Sequence, residues 1–272
     1  MKRIAFLIFG ALAFSSGANA QSSNLKRLNT GDESRGWEAV GRLDVAGKGF
    51  CTGALIAPDL VLTAAHCLFD RATGDRVKHD TMEFRAGWRD GRASAYRQVR
   101  RAVVHPDYLY DGTATTDRVR NDLALIELER PIRNTQVIPF ETAERPAKGD
   151  KIGVVSYALD RAEAPSLQEM CHVMARQKGV LVMSCDVNFG SSGAPIFSMD
   201  GNVAKIVSVV SAKAEVKGIP VSLGTALESP LARLRAELAA GRGRFSVVES
   251  RESREASPVE GRVITGAKFV KP

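Results

Sequence analysis

From Trp37 onwards the chain is a succession of short apolar segments separated by turn residues, and this pattern constrains the fold more than any other feature. Short segments of this kind, bounded by Gly, Pro, Asn or Asp, are typical of β-strands. The first part of the chain contains five of them, at residues 39–43, 52–56, 60–63, 81–87 and 98–104. Their spacing predicts an all-β protein built as a barrel.

The hexapeptide Gly-Ser-Ser-Gly-Ala-Pro at residues 190–195 is the first candidate for chemistry. A serine between glycines can present its hydroxyl on a turn, because residues without a Cβ allow positive φ values and close approaches. A carbonyl group could then contact Ser192 Oγ and the backbone amides of Gly190 and Ser192, which would form an oxyanion hole. Taken alone, such a hexapeptide is more often a surface turn.

A serine hydroxyl is a weak nucleophile at neutral pH and needs a base, usually a histidine that a carboxylate orients. Of the four histidines, His66 lies in the segment Thr-Ala-Ala-His-Cys. Asp122 begins the segment Asp-Leu-Ala-Leu-Ile, whose apolar strand would shield the carboxylate from water. The alternatives are weaker, since His105 only precedes a proline turn and Asp117 has no apolar strand behind it.

These three motifs, in the order His, Asp, Ser, resemble those of the chymotrypsin-fold (trypsin-like) serine peptidases over residues 37–226. Unrelated folds place the same residue types in other orders. The resemblance implies two antiparallel β-barrels of the six-stranded type, with the active site between them and a short C-terminal helix. It also implies a serine endopeptidase without a cofactor, in which Ser192 attacks a peptide carbonyl, His66 transfers the proton and Asp122 orients the imidazole. A catalytically silent relative that acts as an exported binding protein is the alternative.

The resemblance divides the chain into a first barrel at residues 37–140 and a second at 150–226, joined by a proline-containing crossover. The segments that predict strands in the second barrel are residues 151–156, 180–183 and 203–211. The pattern after residue 226 predicts a helix with Ser229 as its N-cap, Pro230 in its first turn, an apolar face of leucines and a stop at Gly241. The peptidase domain is thus expected to cover residues 37–241, and the basic segment 242–272 to be a mobile tail.

One departure from the family concerns activation. The digestive members carry an aspartate before the nucleophile, which binds a new N-terminal ammonium after cleavage, whereas this chain has Ser191. It also lacks a basic residue followed by Ile-Val-Gly-Gly near the start of the mature protein. We therefore expect activity without such cleavage, as in the bacterial branch of glutamyl-endopeptidase-like proteases, which the chain resembles more closely in this respect.

A second departure concerns specificity. Asp186 lies six residues before Ser192, where trypsin-type members carry the acid that selects Lys or Arg. Because Cys185 directly precedes it, the loop geometry can differ, and an aspartate that binds loop amides is the structural alternative. If Ser208 is the serine that the family keeps on its substrate-binding strand, Val207 stands where glutamate-selective relatives have a histidine. A preference for glutamate is then not expected.

Residues 1–20 have the pattern of a secretory signal peptide, with Lys2 and Arg3, an apolar core and an Ala-x-Ala end. The core spans about eleven residues, too few for a membrane-spanning helix, which needs about twenty. We expect cleavage after Ala20 and a secreted or periplasmic protein without stable membrane insertion. A polar leader arm, residues 21–36, would precede the peptidase domain.

The four cysteines agree with export, because an oxidising compartment favours disulfides. The neighbouring partners are Cys51 with Cys67 and Cys171 with Cys185, although three pairings are formally possible. The first pair resembles the bridge that the family has beside its catalytic histidine. A metal site is not expected, because no Cys-x-x-Cys or His-x-x-x-His spacing is present.

Charge excludes one class of partner. Without Lys2 and Arg3 the chain carries 36 basic and 31 acidic side chains, a net charge of +5. The basic residues are scattered and do not alternate with aromatic residues, so nucleic acid is not an expected partner. The expected partner is a protein or peptide substrate, and no sequence feature indicates an oligomeric state.

Overall fold

The computed structural model describes residues 25–110, 115–144, 146–199 and 203–243, together with the backbone of residues 267–269. The predicted signal peptide and most of the predicted mobile tail lie outside these residues. Within them the chain forms two closed antiparallel β-barrels, which confirms the predicted fold class.

The first barrel contains six strands that close in the order β2-β3-β4-β7-β6-β5. Before it, the short strand β1 covers Leu25–Arg27. The six strands of the barrel are β2 Val40–Val45, β3 Gly49–Ala57, β4 Leu60–Thr63, β5 Met82–Ala86, β6 Ala95–Val104 and β7 Ala124–Leu128. In β5 the burial alternates as the sequence predicts, because Met82, Phe84 and Ala86 point into the barrel and the residues between them do not.

The second barrel closes in the order β8-β9-β10-β13-β12-β11, with β11 and β9 both paired to β8. Its strands are β8 Lys151–Ala158, β9 Arg161–Gln177, β10 Val180–Met183, β11 Pro195–Ser198, β12 Lys205–Val216 and β13 Ile219–Ala226. Two outer strands extend this sheet, since β1 pairs with β9, and the C-terminal strand β14, Ala267–Phe269, pairs with β12.

The sequence analysis missed β9, although it is 17 residues long. Val173 is its one β-branched residue, and Pro165 interrupts the strand pattern. Both features lower the β-propensity that a sequence pattern can reveal. The long strand forms because β8, β10 and β1 all pair with it, which is a tertiary effect.

The described part of the predicted leader arm packs on the two barrels. Strand β1 pairs with β9 through Leu25, Lys26 and Arg27. The next side chain, Leu28, is 1% exposed and belongs to the largest hydrophobic core. Residues 25–36 are therefore part of the folded unit and not a separate arm.

The described residues contain two α-helices: α1, Thr116–Asn121, which the sequence analysis missed, and α2, Glu228–Ala239. The predicted face of α2 is confirmed, because Leu231, Leu234 and Leu238 are buried. Its predicted start is two residues too late, since the N-cap is Leu227 and not Ser229, which lies inside the first turn. No helix among the described residues combines the length and the apolar character that crossing a membrane requires.

Candidate active site

His66 lies on a short turn that follows β4. The strand ends at Thr63, and residues 65–68 form one turn of 3-10 helix. The disulfide between Cys51 and Cys67, which confirms the predicted pairing, ties this turn to β3. A ring nitrogen of His66 and the two bridge sulfurs lie within 4.8 Å of one another, so the bridge supports the imidazole from one side. The second predicted bridge, between the cysteines of β9 and the loop after β10, also forms.

Asp122 holds His66 by two hydrogen bonds. Asp122 Oδ2 lies 2.7 Å from His66 Nδ1, and Oδ1 accepts a 2.9 Å bond from the His66 backbone amide. The carboxylate has no proton to donate, so Nδ1 carries the proton of the neutral ring. The other ring nitrogen, Nε2, is left as the acceptor. The pair therefore forms a base whose tautomer and orientation are both set by Asp122.

The Asp122 carboxyl is ionised in spite of its position. Its side chain is 2% exposed, and burial opposes the charged form. The electrostatic interaction with His66 and the hydrogen bonds from His66 and Ser211 outweigh that cost and hold the pKa of Asp122 below its ordinary value of 3.8.

Ser211 is the residue of this cluster that the sequence analysis missed. Its hydroxyl donates a 2.5 Å hydrogen bond to Asp122 Oδ2. Ser208, the serine that the sequence analysis considers for the family's position on this strand, donates instead to the Thr225 carbonyl and is fully buried. Val207 is 1% exposed, so neither it nor Ser208 lines an accessible pocket. A shift in the pairing of β12 beside Ser211 turns this serine towards Asp122.

We expect Ser211→Ala to lower the free energy of unfolding at pH 7 by about 1.5–3 kcal/mol, because it removes a hydrogen bond to a buried charge. The loss also raises the pKa of Asp122 in the folded protein. A carboxyl group whose pKa is lower in the folded protein than in the unfolded chain stabilises the fold at a pH above its pKa in the unfolded chain. This contribution is lost as the pH falls through its pKa in the folded protein. The difference between Ser211→Ala and the parent should therefore shrink below pH 3.8.

Ser208→Ala is the matched control for that experiment, since it removes a buried serine hydroxyl from the same strand whose acceptor is an uncharged carbonyl. Its cost should be about 1 kcal/mol at every pH. Urea unfolding of both variants from pH 7 to pH 3 makes the comparison. An equal pH dependence in the two variants would contradict the assignment of Ser211 to Asp122.

The loop that carries Ser192 is shaped by two glycines with positive φ, Gly190 at 95° and Gly193 at 77°. A Cβ at Gly190 would lie 2.5 Å from the Phe50 ring, and one at Gly193 would lie 2.1 Å from Thr63 Oγ1. Neither position can hold a larger residue without moving the first barrel. Ser192 itself is half-buried, whereas its neighbours on both sides are buried.

Thr52 of β3 holds the backbone of this loop. Its amide donates a 2.8 Å bond to the Ser192 carbonyl, and its hydroxyl donates a 2.9 Å bond to the Gly190 carbonyl. Both carbonyls thus face the first barrel. Among the described residues, the amides of Gly190 and Ser192 donate no hydrogen bond within the protein, so both donors are free for a ligand.

The two barrels bring this loop beside the His-Asp pair. Ser192 bonds to Thr52, which follows the Cys51 half of the bridge beside His66. On the other side, the Gly193 amide donates a 2.8 Å bond to the carbonyl of Val210, the residue before Ser211. The loop is therefore held on one side by Thr52, the residue after Cys51, whose disulfide partner follows His66. On the other side it is held by Val210, the residue before Ser211, which contacts Asp122.

The sequence model of the trypsin family matches residues 29–226, which is most of the chain and includes both barrels. The chain belongs to the trypsin family. The fold agrees with this, because solved structures of two proteases superimpose on it. One is a Glu endopeptidase in complex with MPD, with a TM-score of 0.66 and 19% identity over 79% of this chain and 96% of that one. The other is the thermostable serine protease AL20, with a TM-score of 0.61 and 18% identity over 75% of this chain and 98% of that one.

Curated relatives of this trypsin-family chain are distant. Mast cell protease 3 of Ovis aries is 30% identical over 45% of this chain and 44% of its own length. Serine protease 23 of Bos taurus is 28% identical over 54% of this chain and 43% of its own length. Glutamyl endopeptidase of Bacillus licheniformis is 24% identical over 57% of this chain and 47% of its own length. The match thus spans less than half the length of each of these relatives.

Two other predicted positions of the trypsin-family chain make hydrogen bonds outside the His-Asp pair. Asp186 is exposed, and its backbone amide donates a 2.8 Å bond to Gln168 Oε1. His105, the alternative base, is 5% exposed, and its Nδ1 accepts a bond from the Asp107 amide. Burial lowers the pKa of His105. Its ring is thus engaged in its own turn.

Proposed function

We propose that this trypsin-family chain is an exported serine endopeptidase that hydrolyses peptide bonds through an acyl-enzyme. The observation that carries the proposal is the His66 Nδ1 held at 2.7 Å by the buried Asp122 carboxylate. This bond leaves Nε2 as a base beside the loop that contains Ser192. The same loop offers two free amides where a substrate oxygen would become negative.

In the first half of the reaction, Ser192 Oγ attacks the carbonyl carbon of the peptide while His66 Nε2 accepts the hydroxyl proton. The carbonyl oxygen becomes an oxyanion, which accepts hydrogen bonds from the Gly190 and Ser192 amides. Asp122 stabilises the imidazolium that forms. His66 then donates its proton to the leaving nitrogen, the C–N bond breaks, and an ester between Ser192 and the acyl half remains.

In the second half, a water molecule attacks the ester carbon and gives its proton to His66 Nε2. The same amides hold the second oxyanion. When it collapses, the bond to Ser192 Oγ breaks, and His66 returns a proton to that oxygen. The released product is a carboxylic acid, and the side chains regain their starting protonation states. This scheme uses Gly190 only through its backbone amide, which agrees with the close contacts that a Cβ there would make.

Asp186 is the proposed charged residue for substrate selection. It is exposed beside the disulfide of the second barrel, with no side-chain bond to a loop amide among the described residues. A preference for glutamate remains disfavoured, since Val207 precedes Ser208 and Val210 precedes Ser211, so a valine stands before the serine in either alignment. Cleavage of a peptide library would test both points, and a strong preference for Glu at the cleaved position would contradict the second.

Export is part of the proposal. Both disulfides form between neighbours in the sequence, and such bonds persist in oxidising compartments. The N-terminal pattern of residues 1–20 predicts the signal that would direct the chain there. Fractionation of cells that express the full chain should place the protein in the periplasm or the medium, with residues 1–20 removed.

A fluorophosphonate probe tests the proposed chemistry without a choice of peptide, because it phosphonylates an activated serine with loss of fluoride. We expect the purified protein to be labelled and Ser192→Ala to be unlabelled. The control is Ser208→Ala, whose serine bonds a backbone carbonyl in the core and should not alter labelling. A folded parent that is not labelled would favour the silent binding protein. Labelling that persists in Ser192→Ala would place the nucleophile elsewhere.

A further inference from the structure

Arg161 places a cation inside the second barrel that the proposed mechanism does not use. It begins β9, and its side chain is only 11% exposed. Arginine is rarely buried unless it is paired. Its ion-pair partner is Asp160, 3.2 Å away, whose side chain is 61% exposed and therefore compensates the charge weakly. Within the described part of the chain, Arg161 Nε makes no hydrogen bond.

The guanidinium is directed at the loop that carries Ser192. One terminal nitrogen donates a 3.1 Å bond to Ser156 Oγ and a 3.3 Å bond to Ser191 Oγ. Ser191 lies between Gly190 and Ser192, the two residues whose amides are proposed to bind the oxyanion. The cation is therefore one hydrogen bond away from the middle of the oxyanion loop.

The Ser191 hydroxyl is the centre of this network. It accepts a 3.3 Å bond from the Asn188 amide in addition to the bond from Arg161. With two donors directed at the oxygen, its own proton points to the Tyr157 carbonyl or to Ser156 Oγ, each 3.2 Å away. Ser191 is fully buried, so no solvent competes for these bonds.

The turn between β8 and β9 packs on the same loop. The Leu159 amide donates a 2.8 Å bond to the Phe189 carbonyl. A Cβ on Gly190 would lie 3.0 Å from the Ala158 Cα, which shows how closely the backbones approach. Arg161 directly follows this turn, so the turn and the oxyanion loop pack together and the guanidinium bonds to the loop.

The energetics argue against a purely stabilising role. Burial lowers the pKa of Arg161, and the charges of Asp160 and Asp186 offset only part of that cost. Replacing a buried ion pair by an apolar residue of similar volume is often neutral or stabilising. An apolar side chain of similar volume at position 161 is therefore compatible with a stable fold.

We propose that Arg161 is a positioning residue which, through Ser191, keeps the Gly190 and Ser192 amides directed at one oxyanion. The inference rests on the proposed peptidase function. It gives a role to Ser191, the serine before the nucleophile, because the cation that holds this residue comes from β9. No newly formed N-terminal ammonium is then needed at this position. The oxyanion loop is then formed as soon as the chain has folded.

The test compares Arg161→Met with Arg176→Ala in the full chain. Arg176 lies on the same strand but is exposed, so its removal controls for the loss of a positive charge. A misplaced oxyanion donor should lower kcat of Arg161→Met for a peptide substrate by about 10- to 100-fold. KM should stay within about twofold, because substrate binding in the ground state uses other contacts. The thermal unfolding midpoint should not fall, and Arg176→Ala should match the parent.

Ser191→Ala removes the acceptor of the hydrogen bond that Arg161 donates. This variant tests the positioning role of Arg161 if Arg161→Met does not fold. We expect a similar loss of kcat, and the double variant should be no slower than the slower single variant, because both changes remove one interaction. A parent-like kcat in either folded single variant would overturn the proposal, and so would a loss of kcat that a lowered unfolding midpoint fully accounts for.

Hydrogen exchange separates this inference from the proposed function. Arg161→Met should exchange faster in the segment 188–193 and at the parent's rate in the first barrel, whether or not the protein labels with a fluorophosphonate. If the parent is not labelled, the peptidase proposal fails, and exchange alone decides whether Arg161 holds the loop. Unchanged exchange in this segment would overturn the positioning role even in an active enzyme.

Discussion

Replacing Asp122 with asparagine is expected to lower kcat for peptide hydrolysis by about 10⁴-fold while the protein stays folded. The asparagine oxygen can keep the bond that the His66 amide makes to Oδ1. Its NH₂ group then takes the place of Oδ2 and donates to Nδ1, 2.7 Å away. This reverses the tautomer of the ring, because the proton moves to Nε2, and that nitrogen can no longer accept the Ser192 proton as the proposed mechanism requires.

Asp117→Asn is the control for this experiment, since Asp117 was the competing acid in the sequence and its side chain is 76% exposed. It should retain the activity of the parent. Measurement of kcat and KM for both variants, with circular dichroism to confirm folding, makes the comparison. If Asp122→Asn lost less than about tenfold in kcat, Asp122 would not set the tautomer of the base.

Gly193→Ala is expected to have the largest effect on stability, about 3–5 kcal/mol, because a positive φ and a steric clash add together. The new Cβ would lie 2.1 Å from Thr63 Oγ1 and 2.3 Å from the Thr52 carbonyl oxygen. Thr63 and Thr52 are buried and joined by a 2.8 Å hydrogen bond, so neither can move freely.

Gly218→Ala separates the two causes. Gly218 has a φ of 79°, close to the 77° of Gly193, but nothing lies within 4 Å of its missing Cβ. Its replacement should cost only the backbone strain, about 1–2 kcal/mol. Denaturant unfolding of the two variants measures the difference. Equal losses would show that the space between the barrels at Gly193 adapts to a methyl group.

The short motifs of this protein were predictable because each one is local. The short segment around His66 contains a turn and the one around Asp122 precedes a buried strand, and the structure places both residues at those points. The cysteine pairs are close in the sequence, at separations of 16 and 14 residues, so neighbours pair with neighbours. Strand patterns with β-branched residues likewise predicted most of the first barrel.

Elements that depend on distant partners were not predictable. The register of β12 is one case, because residues 208–211 have a serine at each end and valines between them. All four are buried, so hydrophobic alternation does not distinguish the two serines. The pairing with β13, and the shift within it, decides that Ser211 and not Ser208 meets Asp122.

Sequence by itself therefore determined the fold class and the residue types of the candidate site, and it favoured the two bridges that form, because strand patterns, turns and short motifs are encoded within a few neighbouring residues. Only the tertiary structure decided what surrounds them. Ser211 reaches Asp122 across 89 positions of the chain, and Arg161 reaches Ser191 across 30. Contacts of this kind depend on how the two barrels pack and on the register of paired strands. A local sequence pattern predicts neither the packing nor the register.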